Sequence, residues 1–295
     1  MRQILVISGK GGTGKTILTA SFAALVERKV MADCDVDAAD LHLLLHPDVL
    51  ERHEFRAGKR ASIDRDRCTG CGECVGVCRF GAISENSRRE AVIDPISCEG
   101  CGICHLVCPT DAISMEEHLS GEWFVSKTKY GPMVHARLGA AEENSGKLVT
   151  LVRRQATLIA ERESFDFVLV DGPPGIGCPV IASLAGVDVA LIITEPTLSG
   201  IHDLQRVAGV ARHFGVTVGC VINKHDVNFE NAQSIQSWCE TERIPVIGKI
   251  PYDRGVSESL IRRTPLVTYS DCPAAREIRN VWSLLISTPE LSVSK

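Results

Sequence analysis

The chain has 295 residues, 44% of them hydrophobic, and a formal net charge of −5. That is enough apolar material for one substantial core and a small satellite domain, with no overall charge bias toward nucleic acid. The opening MRQILVISGK is too short an apolar stretch for a secretory signal, and no eighteen-residue uncharged run offers a membrane span, so a cytoplasmic chain bound to neither membrane nor nucleic acid is expected.

In chain order, QILVIS (3–8) is a short β-rich apolar run that leads into Gly9-Lys10-Gly11-Gly12-Thr13-Gly14-Lys15-Thr16, and ILTASFAALVER then carries helical periodicity. Strand, glycine loop and helix are the setting of a phosphate-binding loop. Gly11, Gly12, Thr13 and Gly14 let backbone N–H groups wrap the phosphates, Lys15 reaches the outer phosphate oxygens, and the Thr16 hydroxyl binds Mg²⁺. With the added Lys10, GKGGTGKT resembles the deviant Walker A loop of the MinD/ParA/Mrp and nitrogenase iron-protein superfamily. The resemblance implies an α/β P-loop NTPase whose mainly parallel sheet is flanked by helices. It also implies an ATP-dependent dimer, with Lys10 reaching the nucleotide of the partner; read alone, Lys10 is a solvated loop charge. Val30-Met31-Ala32 leads into Asp33-Cys34-Asp35 and Leu41, similar to the DxD segment of that superfamily. Lys10, Lys15 and Asp35 are the catalytic candidates, Asp35 orienting water or accepting its proton. Asp33, Asp37 and Asp40 read as solvated or capping carboxylates, and Cys34 as a packed thiol. His42 and His46, four apart in LHLLLHP, read as a helix face.

Next come two eleven-residue runs, Cys68-x2-Cys71-x2-Cys74-x3-Cys78 and Cys98-x2-Cys101-x2-Cys104-x3-Cys108, thirty positions apart. CTGCGECVGVCRFGAI and CEGCGICHLVCPTDAI share nine of sixteen positions, each preceded by Ile-Asp at Ile63-Asp64 and Ile93-Asp94. Three thiolates at that spacing take one cubane, while the fourth ligates the other cluster of a two-cluster ferredoxin. The repeat therefore predicts two [4Fe-4S] clusters with crossed ligation: Cys68, Cys71, Cys74 and Cys108 on one, Cys78, Cys98, Cys101 and Cys104 on the other. Zinc and disulfides are the competing readings; zinc favours paired CxxC units, and disulfides an oxidising compartment. The bacterial pattern is kept at Cys108-Pro109 and broken at Cys78-Arg79. An inserted small α+β domain of the bacterial two-cluster ferredoxin type is thus expected over 57–118. It divides the ATPase domain into 1–56 and 119–295.

Beyond it, 122–126 and 132–136 read as strands, 139–146 as a polar connector and 147–163 as a helix. FVLVD (167–171) is a buried parallel-strand pattern ending in Asp171, which the resemblance makes the Walker B carboxylate on Mg²⁺. Gly172-Pro173-Pro174-Gly175 resembles the switch II turn. Strands at 187–194 and 216–223 alternate with helices at 198–214 and 228–242, a βαβ rhythm. Asn223, with Pro251 and Asp253, resembles the segments beside the nucleotide base, and plain loops are the alternative.

Almost the whole chain resembles MinD-superfamily ATPases containing an inserted ferredoxin domain. That implies an ATPase with two [4Fe-4S] clusters, ATP and Mg²⁺, coupling a nucleotide-dependent dimer to electron transfer toward an unidentified redox or iron–sulfur acceptor protein. The dimer partner is an identical chain or a related ATPase. An iron–sulfur cluster assembly or carrier ATPase is the alternative, and a MinD/ParA-like spatial-organisation ATPase a second. SLLISTPELSVSK lacks the basic amphipathic character of a membrane-binding tail. Cys178, seven residues after Asp171, is at the spacing of a subunit-bridging cluster ligand in the nitrogenase iron protein; a packed thiol or an interface contact is the plainer reading.

Overall fold

The computed structural model describes residues 1–139, 142, 145–288 and 291. The chain divides into two compact units. One holds Met1–His53, Glu122–Leu138 and the chain from Ser145 onward; the other holds Glu54–Gly121 with Gly139 and Glu142. Most of the connector read over 139–146 lies outside the described residues.

The first unit begins with β1 (Arg2–Ser8), α1 (Lys15–Leu25), β2 (Lys29–Asp33) and α2 (Leu41–Leu45). β3 (Asp48–Ile63) follows and crosses into the second unit, which contains α3 (Glu73–Val77), β4 (Ile83–Glu85), β5 (Ala91–Ile93) and α4 (Ile103–Val107). β6 (Ile113–Thr128) leads back and turns into β7 (Gly131–Leu138). The remaining elements alternate: α5 (Ser145–Arg162), β8 (Phe167–Pro174), α6 (Cys178–Leu184), β9 (Val189–Thr194), α7 (Leu198–His213), β10 (Thr217–Asn223), α8 (Phe229–Thr241) and β11 (Val246–Ile250). Among the described residues three helices follow: α9 (Arg254–Ile261), α10 (Leu266–Tyr269) and α11 (Pro273–Ser287).

The main sheet runs β11-β10-β9-β1-β8-β2-β7-β6-β3, and the pairs from β11 through β7 are all parallel. Such strands are covered on both faces, so they read as unbroken apolar runs; Ile4, Leu5, Val6 and Ile7 of β1 and Val168, Leu169 and Val170 of β8 are all buried. Phe22 of α1 and Phe167 of β8 both pack on Trp282 of α11, at 5.1 and 5.5 Å between ring centroids. Buried Arg153 on α5 donates to the carbonyls of Ala182 and Ala185 and to the side-chain oxygen of Gln3, tying α5 to the end of α6 and to β1. The parallel register places Asp33, the last residue of β2, beside Asp171 of β8, so two acids stand side by side toward the carboxyl ends of adjacent strands, where open α/β sheets bind ligands.

The second unit repeats its sequence symmetry in its backbone. Gly70 and Gly72 have φ of 67° and 75°, and their counterparts Gly100 and Gly102 have 64° and 79°. The two Ile-Asp segments cross: the Asp64 N–H donates to the Ala112 carbonyl and the Asp94 N–H to the Ala82 carbonyl. β4 and β5 pair antiparallel, with Ile83 opposite Ile93.

Candidate functional site

The phosphate loop emerges from β1 and hands over to α1. Its last glycine, Gly14, caps the helix in the left-handed region at φ 97°, and no side chain accepts from the first-turn N–H groups. These donors and the positive end of an eleven-residue helix face the loop, a ready anion site. A Cβ at Gly14 would lie 2.6 Å from the Asn223 side-chain nitrogen, so glycine is needed both for the dihedral and for the space. That nitrogen donates to the Thr13 carbonyl at 2.8 Å. Asn223 therefore braces the loop from the end of β10.

Lys15 is 5% exposed at the start of α1. Asp171 is buried beneath the loop and accepts a hydrogen bond from the Thr19 hydroxyl at 3.0 Å. Burial pushes the Asp171 carboxyl up to about 6, against the pull of Lys15 and the Thr16 and Thr19 hydroxyls. Its second oxygen, Oδ2, is buried without a partner, and so is the Thr13 hydroxyl. Two orphaned polar atoms beside a buried lysine are costly unless a ligand satisfies them. Asp35 follows β2; burial raises it to about 6, with Lys15 pulling the other way.

A cavity of about 400 Å³ lies over this floor, lined among others by Gly11, Gly12, Lys15, Thr16, Asp35 and Pro174. The fold adds walls that the sequence reading did not name: Leu43 and Leu44 from α2, Leu260 from α9, and Arg263 just after it. Pro251, Asp253 and Asn223 do not line the cavity. The Asp253 carboxylate caps α9 by accepting from the Gly255 N–H at 2.8 Å. Asp33, read as a solvated or capping carboxylate, is not solvated. It is fully buried and accepts from the Asp35 and Leu41 N–H groups, and burial, with Asp171 and Asp35 nearby, pushes its carboxyl well above the usual carboxylate range. Cys34 is a buried thiol pushed far up by the same burial. The Gly172–Gly175 stretch is less of a turn than its composition suggests. β8 continues through Pro174 opposite Ser8, and only Gly175, at φ 92°, leaves the strand. Lys10 folds back within its own chain, 3.5 Å from Glu195, which also accepts from Lys224.

The profile of the CobQ/CobB/MinD/ParA nucleotide binding domain matches residues 4–266. The chain belongs to that family. An uncharacterized protein of Methanocaldococcus jannaschii is 33% identical over 287 residues, 96% of each chain. The septum site-determining protein MinD of Pyrococcus horikoshii, solved with Mg-ADP, superposes with a TM-score of 0.59 over 99% of both chains at 17% identity, a likeness of fold. An iron–sulfur cluster carrier protein of Pyrococcus abyssi is 26% identical over 156 residues, 48% of this chain and 52% of its own length. The loop, Lys15, Asp35 and Asp171 thus stand in a P-loop nucleotide-binding domain of this family.

In the second unit, the eight cysteines of the two runs gather around two separate cavities. Cys68, Cys71, Cys74 and Cys108 line one; Cys78, Cys98, Cys101 and Cys104 line the other. Each cavity combines three sulfurs of one run with the last sulfur of the other. Cys74 and Cys104 are buried, which raises their thiols, while Cys71 and Cys101 are exposed. Partial burial also opposes ionisation of Cys108, but N–H donors including that of Ala112, 3.3 Å from its sulfur, outweigh it and lower the thiol. Among the described residues no three His, Cys, Asp or Glu side chains converge as ligands of a single metal ion would. Cys178 is exposed at the start of α6.

Proposed function

We propose that this chain is a Mg·ATP-hydrolysing iron–sulfur protein whose nucleotide cleft switches a dimer, and whose cysteine unit, the inserted ferredoxin-type domain expected near 57–118, serves electron transfer to a protein acceptor. The observation that carries the reading is the crossed arrangement of the eight sulfurs around two cavities. Sulfurs spread around the wall of a cavity suit a multi-iron cluster better than a single ion, and an all-thiolate donor set suits iron–sulfur clusters. Bound clusters would supply one-electron redox chemistry. Cys68, Cys71, Cys74 and Cys108 would hold one, and Cys78, Cys98, Cys101 and Cys104 the other. Buried Cys74 and Cys104 would keep water from the clusters, and the Ala112 N–H toward the Cys108 sulfur would steady its thiolate.

In the nucleotide unit, the loop N–H groups and Lys15 hold the phosphates, while the Thr16 hydroxyl and Asp171 hold Mg²⁺. The partnerless Asp171 Oδ2 and Thr13 hydroxyl support this, since each is a buried polar atom with no hydrogen-bond partner in the protein. Asp35 is at the cavity wall beside Lys15, suited to orient the attacking water and accept its proton. Lys10 exchanges Glu195 for the phosphates of a partner chain when the dimer closes. Asn223 holds the loop in shape, so its influence on the nucleotide passes through the loop backbone.

The experiment is paired. Anaerobically purified protein is titrated with ATP and Mg²⁺ while oligomeric state, hydrolysis and the EPR spectrum of the reduced protein are followed. ATP-dependent dimerisation with altered EPR signals supports the reading; spectra indifferent to ATP refute the coupling. The likeness of half the chain to an iron–sulfur cluster carrier favours one second reading, delivery of clusters to other proteins. Incubation with an apo-acceptor separates the two, because delivery empties the donor and electron transfer leaves it loaded.

A further inference from the structure

The two halves of the cysteine unit serve as internal controls for each other, and their surfaces differ. Between residues 61 and 114 the exposed large apolar side chains are Phe80, Val92, Ile96, Ile103 and Leu106. Ile96, Ile103 and Leu106 are 73, 45 and 77% exposed, and all belong to the second half. The positions matching them in the first half are Asp66, Glu73 and Gly76. Phe80, 51% exposed, comes from the first half, but the crossing brings it with Ile103 to the cavity of Cys78, Cys98, Cys101 and Cys104; its own counterpart is Thr110. Leu106 lies three residues beyond Ile103 on α4, hence on the same side of the helix. One cavity is therefore lined by exposed Phe80 and Ile103, with Leu106 on the same side of α4 as Ile103, while the counterparts Thr110 and Glu73 at the other cavity are polar.

Charge separates the halves as well. From Ala91 to Ser126 there is no lysine or arginine, and Glu99 lines the same cavity as Phe80 and Ile103, whereas Asp111, next to Thr110 of the other cavity, pairs with Arg67 at 3.8 Å. The first half carries Arg65, Arg67, Arg88 and Arg89 among its acids, with Arg89 lining the Cys68/Cys71/Cys74/Cys108 cavity, while Arg79 accompanies Phe80 to the other cavity as a basic neighbour. Exposed isoleucine and leucine gathered about a site mark an interaction surface, and an acidic fringe selects a basic partner. We propose that the surface of Phe80, Ile96, Ile103 and Leu106 docks a protein electron carrier with an apolar centre and a basic rim, at the Cys78/Cys98/Cys101/Cys104 site and not at its pseudo-symmetric twin. This rests on the reading that these cysteines hold a cluster, and it names the site at which the acceptor binds.

The test is calorimetric binding of oxidised cytochrome c, a basic one-electron haem protein, to the full anaerobically purified chain at low ionic strength. Iron and sulfide are measured on every sample. Wild type is expected to bind, and Ile96→Asn with Leu106→Gln weakens binding about tenfold by removing exposed apolar contact area. Glu99→Lys weakens it at low salt and less at high salt, where the fringe is screened. The mirror pair Asp66→Asn with Glu73→Gln leaves it within about twofold. Failure of wild type to bind, equal weakening by the mirror pair, or an unchanged constant in the apolar pair overturns the docking surface. Loss of self-association in the apolar pair without loss of probe binding also overturns it, assigning the surface to a second copy. Absence of iron and sulfide from wild type overturns the cluster reading instead, whatever the binding constants.

Discussion

In the nucleotide unit, Lys15, Asp33 and Asp171 are buried at the edge of an extensive apolar core, whereas the buried centre of the cysteine unit is six residues, Ala61, Cys74, Ile83, Ala91, Cys104 and Ile113. The first unit can hold ionisable groups out of water because β1, β8 and β9 and the helices over them supply the burial. The second has short helices of five residues, a two-stranded β4–β5 ribbon and the adjoining parts of β3 and β6, too little apolar surface to order about 70 residues unaided. Two of the six residues in that buried apolar cluster are themselves cysteines of the runs. The contrast teaches that one unit is built before it binds, while the other, on the function proposed above, is built by what it binds.

The largest effect should come from breaking that dependence. Replacing Cys74 or Cys104 by alanine, or removing iron with a chelator, should open the cysteine unit to protease and amide exchange while Mg·ADP still binds the nucleotide unit. Equal protection with and without iron would erase the contrast. Next in size, Lys15→Ala should weaken Mg·ADP binding by about 100-fold, since it removes a buried cation from the phosphate site, and should leave iron content unchanged. Isothermal titration with parallel iron analysis checks both halves of that statement.

Asp35→Asn should lower ATP hydrolysis by about 100-fold with little change in nucleotide affinity, the usual size of a lost proton acceptor. Because burial raises Asp35 to about 6, wild-type hydrolysis should climb as pH passes through that value. The stability sign is the opposite. A carboxyl raised in the folded state favours folding below its unfolded pKa near 3.8, and that contribution is lost as pH rises to about 6. Melting of the nucleotide-free protein between pH 4 and 7 would show it as a fall that is smaller in Asp35→Asn, where raised Asp171 and Asp33 still contribute in the same direction. The smallest effect on stability belongs to Lys10→Ala. Its pair with Glu195 is 3.5 Å long and partly exposed, so the cost should stay under about 1 kcal/mol, yet ATP-dependent dimerisation should disappear. Sedimentation with ATP that still yields dimer would remove the assigned role of Lys10.

Much of this was legible in the sequence because the signals are local. The strand–loop–helix of residues 3–25 and the doubled cysteine runs each need only neighbouring residues to be read. What escaped depends on distant segments. Leu260 and Arg263 reach the cleft only because α9 follows the last parallel strand, more than 240 residues after the loop they help enclose. Asn223 turned out to brace Thr13, a contact across 210 positions. Asp33 read as solvated because its charge was weighed without the register that buries it beside Asp171. β3, with mostly exposed side chains and a charge at nearly every second position, gave no apolar alternation from which a sixteen-residue strand could be read.

The central claim is that eight cysteines in crossed sets hold two four-iron clusters in a chain that also binds nucleotide. Iron and acid-labile sulfide should be counted per chain on anaerobically purified protein, with Cys78→Ser and Cys108→Ser alongside. The account expects about eight of each in wild type, with Cys108→Ser altering the signal of the Cys68/Cys71/Cys74 site and Cys78→Ser that of the other. Zinc without sulfide, or a Cys108→Ser change felt at the Cys98/Cys101/Cys104 site instead, would contradict it.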